Sequence, residues 1–133
     1  MVLDTSALLA ILQDEPGRRR FTEAIEAAES CLLSVASFVE ASIVVEARFG
    51  AEGVRDLDLL LERAGIEIGG VDAEQGRLAR QAFSRYGKGR HEAGLNFGDC
   101  FAYALARALA RPLLFQGGDF ARTDTVAALP AAP

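Results

Sequence analysis

Tryptophan is absent from this 133-residue chain, and only two tyrosines and eight phenylalanines supply aromatic rings. The apolar half of the chain is therefore mainly Ala, Leu and Val, which predicts a helix-rich, aliphatic core. Histidine occurs once, at His91 in a polar loop, which leaves no material for a His-rich metal site and gives no recognisable Ser-His-Asp arrangement. Cys31 and Cys100 are far apart, form no CxxC pair and sit in apolar stretches, so they read as buried free thiols suited to a reducing cytosol. Lys88 is the sole lysine. The other basic residues are Arg, a bias that a GC-rich genome explains as well as phosphate binding does. Long apolar runs are missing, so no membrane span is expected, and the opening residues lack the pattern of a signal peptide. A net charge of −5 argues against coating nucleic acid by bulk electrostatics. It does not exclude an RNA enzyme whose acids are neutralised by bound metal.

Neither internal repeats nor linkers appear, and the length favours one domain, taken as residues 1–129 with a loose Pro/Ala tail at 130–133. Met1-Val2-Leu3 is a short apolar run that reads as a buried strand. Thr5 and Ser6 offer capping hydroxyls to a helix through Leu12, and Pro16 suits the first turn of a second helix through Phe21, Ile25 and Ala28. A strand is expected at 31–33. Ser34 or Ser37 then caps a helix ending near Gly50, although Ser42-Ile43-Val44-Val45 is also compatible with a strand. A further helix at 54–64 carries Leu57, Leu60 and Leu61, and Ile66 to Val71 alternates as a strand. Asp72 caps a helix through Phe83, a glycine-rich loop covers 87–96, and a helix follows at about 97–110. Residues 112–115 form a fourth strand, and Thr125 to Ala127 is a candidate edge strand. Strands alternating with helices predict an α/β fold of three layers, with a mainly parallel sheet of four to five short strands between helices.

Open parallel sheets bind ligands outside the carboxyl ends of their strands. Asp4 directly follows the first strand, Glu40 lies early in the helix after the second, Asp99 is in the first turn of the 97–110 helix, and Asp119 follows the fourth strand. Each has a plain structural explanation. Asp4 suits a helix cap, Glu40 a solvated helix face, Asp99 a favourable position on the helix dipole and Asp119 a turn. Together they suit a different chemistry. Clustered carboxylates repel one another, a hard cation such as Mg²⁺ or Mn²⁺ relieves them, and the bound cation activates water against a phosphodiester.

The motifs resemble those of PIN-domain ribonucleases, in particular VapC-type toxins of VapBC toxin–antitoxin pairs. The matching segments are Val2-Leu3-Asp4-Thr5-Ser6-Ala7-Leu8, Ser37-Phe38-Val39-Glu40-Ala41, Leu95 through Ala106 around Asp99, and Pro112-Leu113-Leu114-Phe115 leading to Asp119-Phe120. The segment around Asp99 is the most specific. The resemblance implies a PIN-like fold and a cytoplasmic endoribonuclease requiring Mg²⁺ or Mn²⁺. It also implies a homodimer held inactive by a VapB-type antitoxin. By the same resemblance, Asp4 and Asp99 are the metal ligands, Glu40 binds metal or activates water, Thr5 or Ser6 orients Asp4 and contacts phosphate, and Asn96 supports the site. One departure stands out: many relatives place the fourth acid where this chain has Gly117, which leaves Asp119, or less favourably Asp124, as its replacement.

Lys88, Arg90 and His91 are candidate phosphate contacts, and a mobile solvated loop is the even alternative. The apolar side chains at 38–49 and 57–61 exceed what a thin sheet needs, and predict a groove for an amphipathic antitoxin helix. A receiver-like signalling domain would need a lysine after a late strand, and an acyl-phosphatase-type hydrolase would need Asp-x-Asp at the first; neither pattern is present. A catalytically inactive PIN-fold module that binds RNA or protein remains the alternative reading.

Overall fold

The shortest strands lie deepest. In the computed structural model, which describes residues 1–130, β1 (Val2–Leu3) and β4 (Leu113–Leu114) are two residues each and almost wholly buried. With β2 (Cys31–Ser34) and β3 (Ile66–Gly69) they form a four-stranded parallel sheet in the order β3-β2-β1-β4. The register pairs Val2 with Leu32 and Leu113, and Leu3 with Leu33 and Leu114. Alternation along each strand then sends the first set to one face and the second to the other. Leu3, Leu33 and Leu114 pack on α1 (Thr5–Leu12), α2 (Arg18–Ala27) and α3 (Val35–Arg63). Val2, Leu32 and Leu113 pack on α4 (Ala73–Tyr86) and α5 (Phe97–Leu109), where alanines let helix and sheet approach closely. Strands covered on both faces read as continuous apolar runs, which is why Val-Leu and Leu-Leu suffice.

The three expected layers are present, with several corrections of detail. The segment 125–127 forms only an isolated bridge, Leu113 to Ala127, so the edge strand does not develop. The third strand ends at Gly69, short of Val71. Pro16 precedes α2 rather than entering it, with Gly17 at the cap. Ser34, not Ser37, caps α3 through the amide of Ala36. Ser42 to Val45 is helical, because the buried residues Ser37, Ala41 and Val45 recur every four positions and form one packed face. The helices expected at 35–49 and 54–64 run together in α3, broken only at Gly50, where φ 66° and ψ −150° need a residue without a side chain. Leu57 and Leu61 belong to the core and Leu60 packs against it, so they do not extend the exposed apolar surface. That surface is instead Val35, Val39 and Ile43 along one face of α3, with Phe49 near its break.

Both cysteines are free and buried, and burial raises the thiol pKa of each. Among the described residues no helix is long and apolar enough to cross a membrane. Pro130 accepts a hydrogen bond from Arg20 at 2.7 Å; the rest of the expected tail, 131–133, lies outside the described residues.

Candidate active site

Chain order reverses beside β1. From β1 the sheet grows through β2 to β3, and β4 then returns to the other side of β1. Such a reversal opens a crevice at the carboxyl ends of the two strands, and Asp4 stands there, directly after β1. It is the N-cap of α1: Oδ2 accepts a hydrogen bond from the Ser6 amide at 3.0 Å. Capping therefore falls to Asp4 itself and not to the hydroxyls of Thr5 or Ser6. Those hydroxyls fasten neighbouring segments. Thr5 Oγ1 donates to the Ser37 carbonyl at 3.2 Å, and Ser6 Oγ accepts from the Gln116 amide at 2.9 Å. The start of α1 is thus tied to α3 and to the turn after β4.

Asp4 is 3 % exposed, and its Oδ1 is buried without a hydrogen-bond partner. A buried, unpartnered carboxylate oxygen is costly unless something else completes it. Burial pushes the Asp4 carboxyl up to about 6; hydrogen bonding from Ser6 opposes the shift and the Glu40 charge adds to it.

Asp99 sits in the first turn of α5 in a reciprocal cap. Asn96 Oδ1 accepts from the Asp99 amide at 2.9 Å, and Asp99 Oδ2 accepts from the Asn96 amide at 3.0 Å. Asn96 thus supports Asp99 by organising the helix start. Burial pushes Asp99 up to about 7; the Asn96 amide opposes this, while the charges of Asp4, Glu40 and Asp119 add to it. The other three candidate acids thus all bear electrostatically on Asp99. Glu40, in the second turn of α3, lays its carboxylate against Gly98: a Cβ on that glycine would stand 2.7 Å from the Glu40 carboxyl carbon.

Asp119 is exposed, leads the short 3₁₀ turn Phe120–Arg122 and makes no capping hydrogen bond. Asp124 is engaged elsewhere. It accepts from Tyr103 Oη at 2.6 Å and faces Arg107 at 3.3 Å and Arg85 at 3.8 Å; although burial opposes it, the Tyr103 hydrogen bond and the two arginines hold its pKa down. Gly117, where the resemblance leads one to expect a fourth acid, is exposed, and its φ of 93° lies in the left-handed region.

The loop carrying Lys88, Arg90 and His91 is closed by a bridge between Gly87 and Leu95 and abuts the start of α5. His91 Nδ1 accepts from the Ala93 amide and its ring meets Tyr86 edge-on, while the Arg90 guanidinium lies 5.8 Å from the centre of the Phe83 ring. These contacts serve the loop and do not join it to the acids. By residue type alone, Gly98 and Gln116 are not site candidates. A glycine in the first turn of an otherwise alanine-rich helix was the available signal; nothing marked Gln116.

Among the described residues, no three His, Cys, Asp or Glu side chains form a ready-made cation cage. The donor set nevertheless fits a hard cation that takes one or two carboxylates and completes its shell with water and phosphate oxygens. Asp4 and Asp99 each commit one oxygen to a helix start, and Asp4 keeps its other oxygen without a protein partner.

Residues 1–126 match the PIN domain family, and the chain belongs to it. It is 55 % identical over 124 residues to ribonuclease VapC30 of Mycobacterium tuberculosis, covering 93 % of this chain and 95 % of that protein. Ribonuclease VapC of Mycolicibacterium smegmatis is 53 % identical over 127 residues, 96 % of this chain and 98 % of the relative. Within the PIN domains the chain therefore belongs with the VapC-type ribonucleases. Two solved structures share the fold at low identity. Mycobacterium tuberculosis VapC20, described as a sarcin-ricin loop cleaving toxin, superposes with a TM-score of 0.76 at 16 % identity, covering 94 % of this chain and 95 % of that one. A toxin–antitoxin complex from Klebsiella pneumoniae gives 0.71 at 18 %, covering 95 % and 94 %.

Proposed function

We propose that this chain is the toxin of a type II toxin–antitoxin pair, an endoribonuclease that hydrolyses RNA phosphodiester bonds with the help of Mg²⁺ or Mn²⁺. The observation that carries the reading is the pairing of Asp4 and Asp99. Each is held by a helix N-terminus through one oxygen, and both are forced toward the protonated form by burial and by neighbouring acids. In this reading Asp4 and Asp99 hold the cation and Glu40 orients the attacking water. Thr5 and Ser6 keep Asp4 in place, and the first-turn amides of α1 and α5 favour the anionic phosphate. When bound, the cation neutralises the acids, lowers the pKa of a water and stabilises the departing oxygen. With Gly117 in place of an acid and Asp124 committed to Tyr103 and two arginines, the residues support one cation per chain, with Asp119 at the margin.

Lys88 and Arg90 hold flanking phosphates in this scheme, the protein works in the cytoplasm as a homodimer, and the domain extends over residues 1–129. The exposed stripe Val35, Val39 and Ile43 receives the VapB-type antitoxin helix. Gly117 also keeps the inactive-module reading alive. Mapping new RNA 5′ ends after induction separates the two readings: discrete sites with the native chain and none with Asp4→Asn support the nuclease, whereas identical maps support the module.

A further inference from the structure

Several glycines of this chain are explained by their backbone: Gly50, Gly65, Gly89, Gly94 and Gly117 all have positive φ. Gly98 is not among them. It is the second residue of α5, a helix otherwise rich in alanine, and glycine is a poorer helix former than alanine at such a position. What occupies the place of its side chain is the Glu40 carboxylate. A Cβ there would stand 2.7 Å from the carboxyl carbon and 2.8 Å from Oε1, and would collide with Oε2. No salt bridge among the described residues involves Glu40. Its carboxylate is located by the surface on which it lies, and that surface is the bare main chain of α5 immediately before Asp99.

We propose that Gly98 is a positioning residue of the active site: by having no side chain, it forms the seat that places the Glu40 carboxylate beside Asp4 and Asp99. The idea rests on the nuclease reading for its catalytic consequence but not for its geometry. A methyl group at position 98 has only one way to be accommodated cheaply, which is to push the Glu40 carboxylate aside, since the opposing contact is the end of a flexible side chain. Displacements of about 1 Å in such a site cost about 100-fold in rate.

The test is a cycle of four full-length proteins: native, Gly98→Ala, Glu40→Ala and the double variant. RNA cleavage, calorimetric binding of Mn²⁺ alone and thermal unfolding without metal are read for each. The proposal expects Gly98→Ala to lose about 100-fold in cleavage and to weaken Mn²⁺ binding. In the Glu40→Ala background the same change should leave Mn²⁺ binding untouched and raise the Tm, because the methyl now enters empty space in a helix that prefers alanine. Native-level cleavage by Gly98→Ala would overturn it, as would an equal loss of Mn²⁺ affinity or of Tm in both backgrounds. If the native chain does not cleave RNA, the nuclease reading fails while the Tm cycle still decides whether Gly98 acts through Glu40.

Discussion

Asp4 carries two duties that pull in opposite directions. As N-cap it stabilises α1, and as a buried acid beside Glu40 it is raised to about 6, with Asp99 raised to about 7. A carboxyl whose pKa is higher folded than unfolded binds its proton more tightly in the native state. The resulting stabilisation is present at low pH and is lost as the pH rises through the folded values. The metal-free protein should therefore unfold more readily at pH 8 than at pH 5.5, and Mn²⁺ should restore stability at pH 8. Asp4→Asn retains a capping side chain but cannot ionise, so it should stabilise the metal-free protein at pH 8 by up to about 3 kcal/mol and abolish the gain from Mn²⁺. Urea unfolding at the two pH values, with and without Mn²⁺, checks this; a pH-independent native protein would contradict it. At this scale the acids Asp4, Glu40 and Asp99 were legible from their places at element ends. The seat under Glu40 was not, because the contact joins residues 40 and 98, which no local pattern relates.

Among the elements, α5 and α3 bear most on the site. Asn96→Ala removes the side-chain half of the cap that holds Asp99 and should cost about 1 kcal/mol in denaturant unfolding, with Asn96→Ser recovering most of it. Gly50 allows the two halves of α3 to diverge, and Gly50→Ala should destabilise by about 1–3 kcal/mol although nothing touches its missing side chain; an unchanged midpoint would show that the break is not a fixed feature. Element order was legible because apolar runs and helical periods alternate along the chain. Boundaries were less so. The pattern of 66–71 continues past Gly69, but β3 pairs only as far as Ser34, where β2 ends and α3 begins. The leucines at 57–61 appeared surplus because periodicity identifies an apolar face without saying what covers it; here the covering is the α1–α2 side of the core.

For the whole molecule, the fold brings three segments distant in sequence, around residues 4, 40 and 99, near one another. The surface opposite the core stays apolar along Val35, Val39 and Ile43. Val39→Glu with Ile43→Glu should leave the fold intact and abolish co-purification with a co-expressed antitoxin; unchanged recovery of the pair would place the antitoxin elsewhere. Calorimetric titration of the native chain should find one Mn²⁺ per chain, and two would show that Asp119 replaces the acid missing at Gly117. Whether the proposed Asp4–Asp99 site cuts RNA through a bound divalent cation is decided by cleavage of a quenched fluorescent RNA by the purified chain and by Asp99→Asn, each with Mn²⁺ and with excess EDTA. Cleavage by the native chain with Mn²⁺ alone, and at least a roughly 100-fold loss in the variant, is the expected outcome; cleavage that survives EDTA, or survives the substitution, rules the metal-dependent site out.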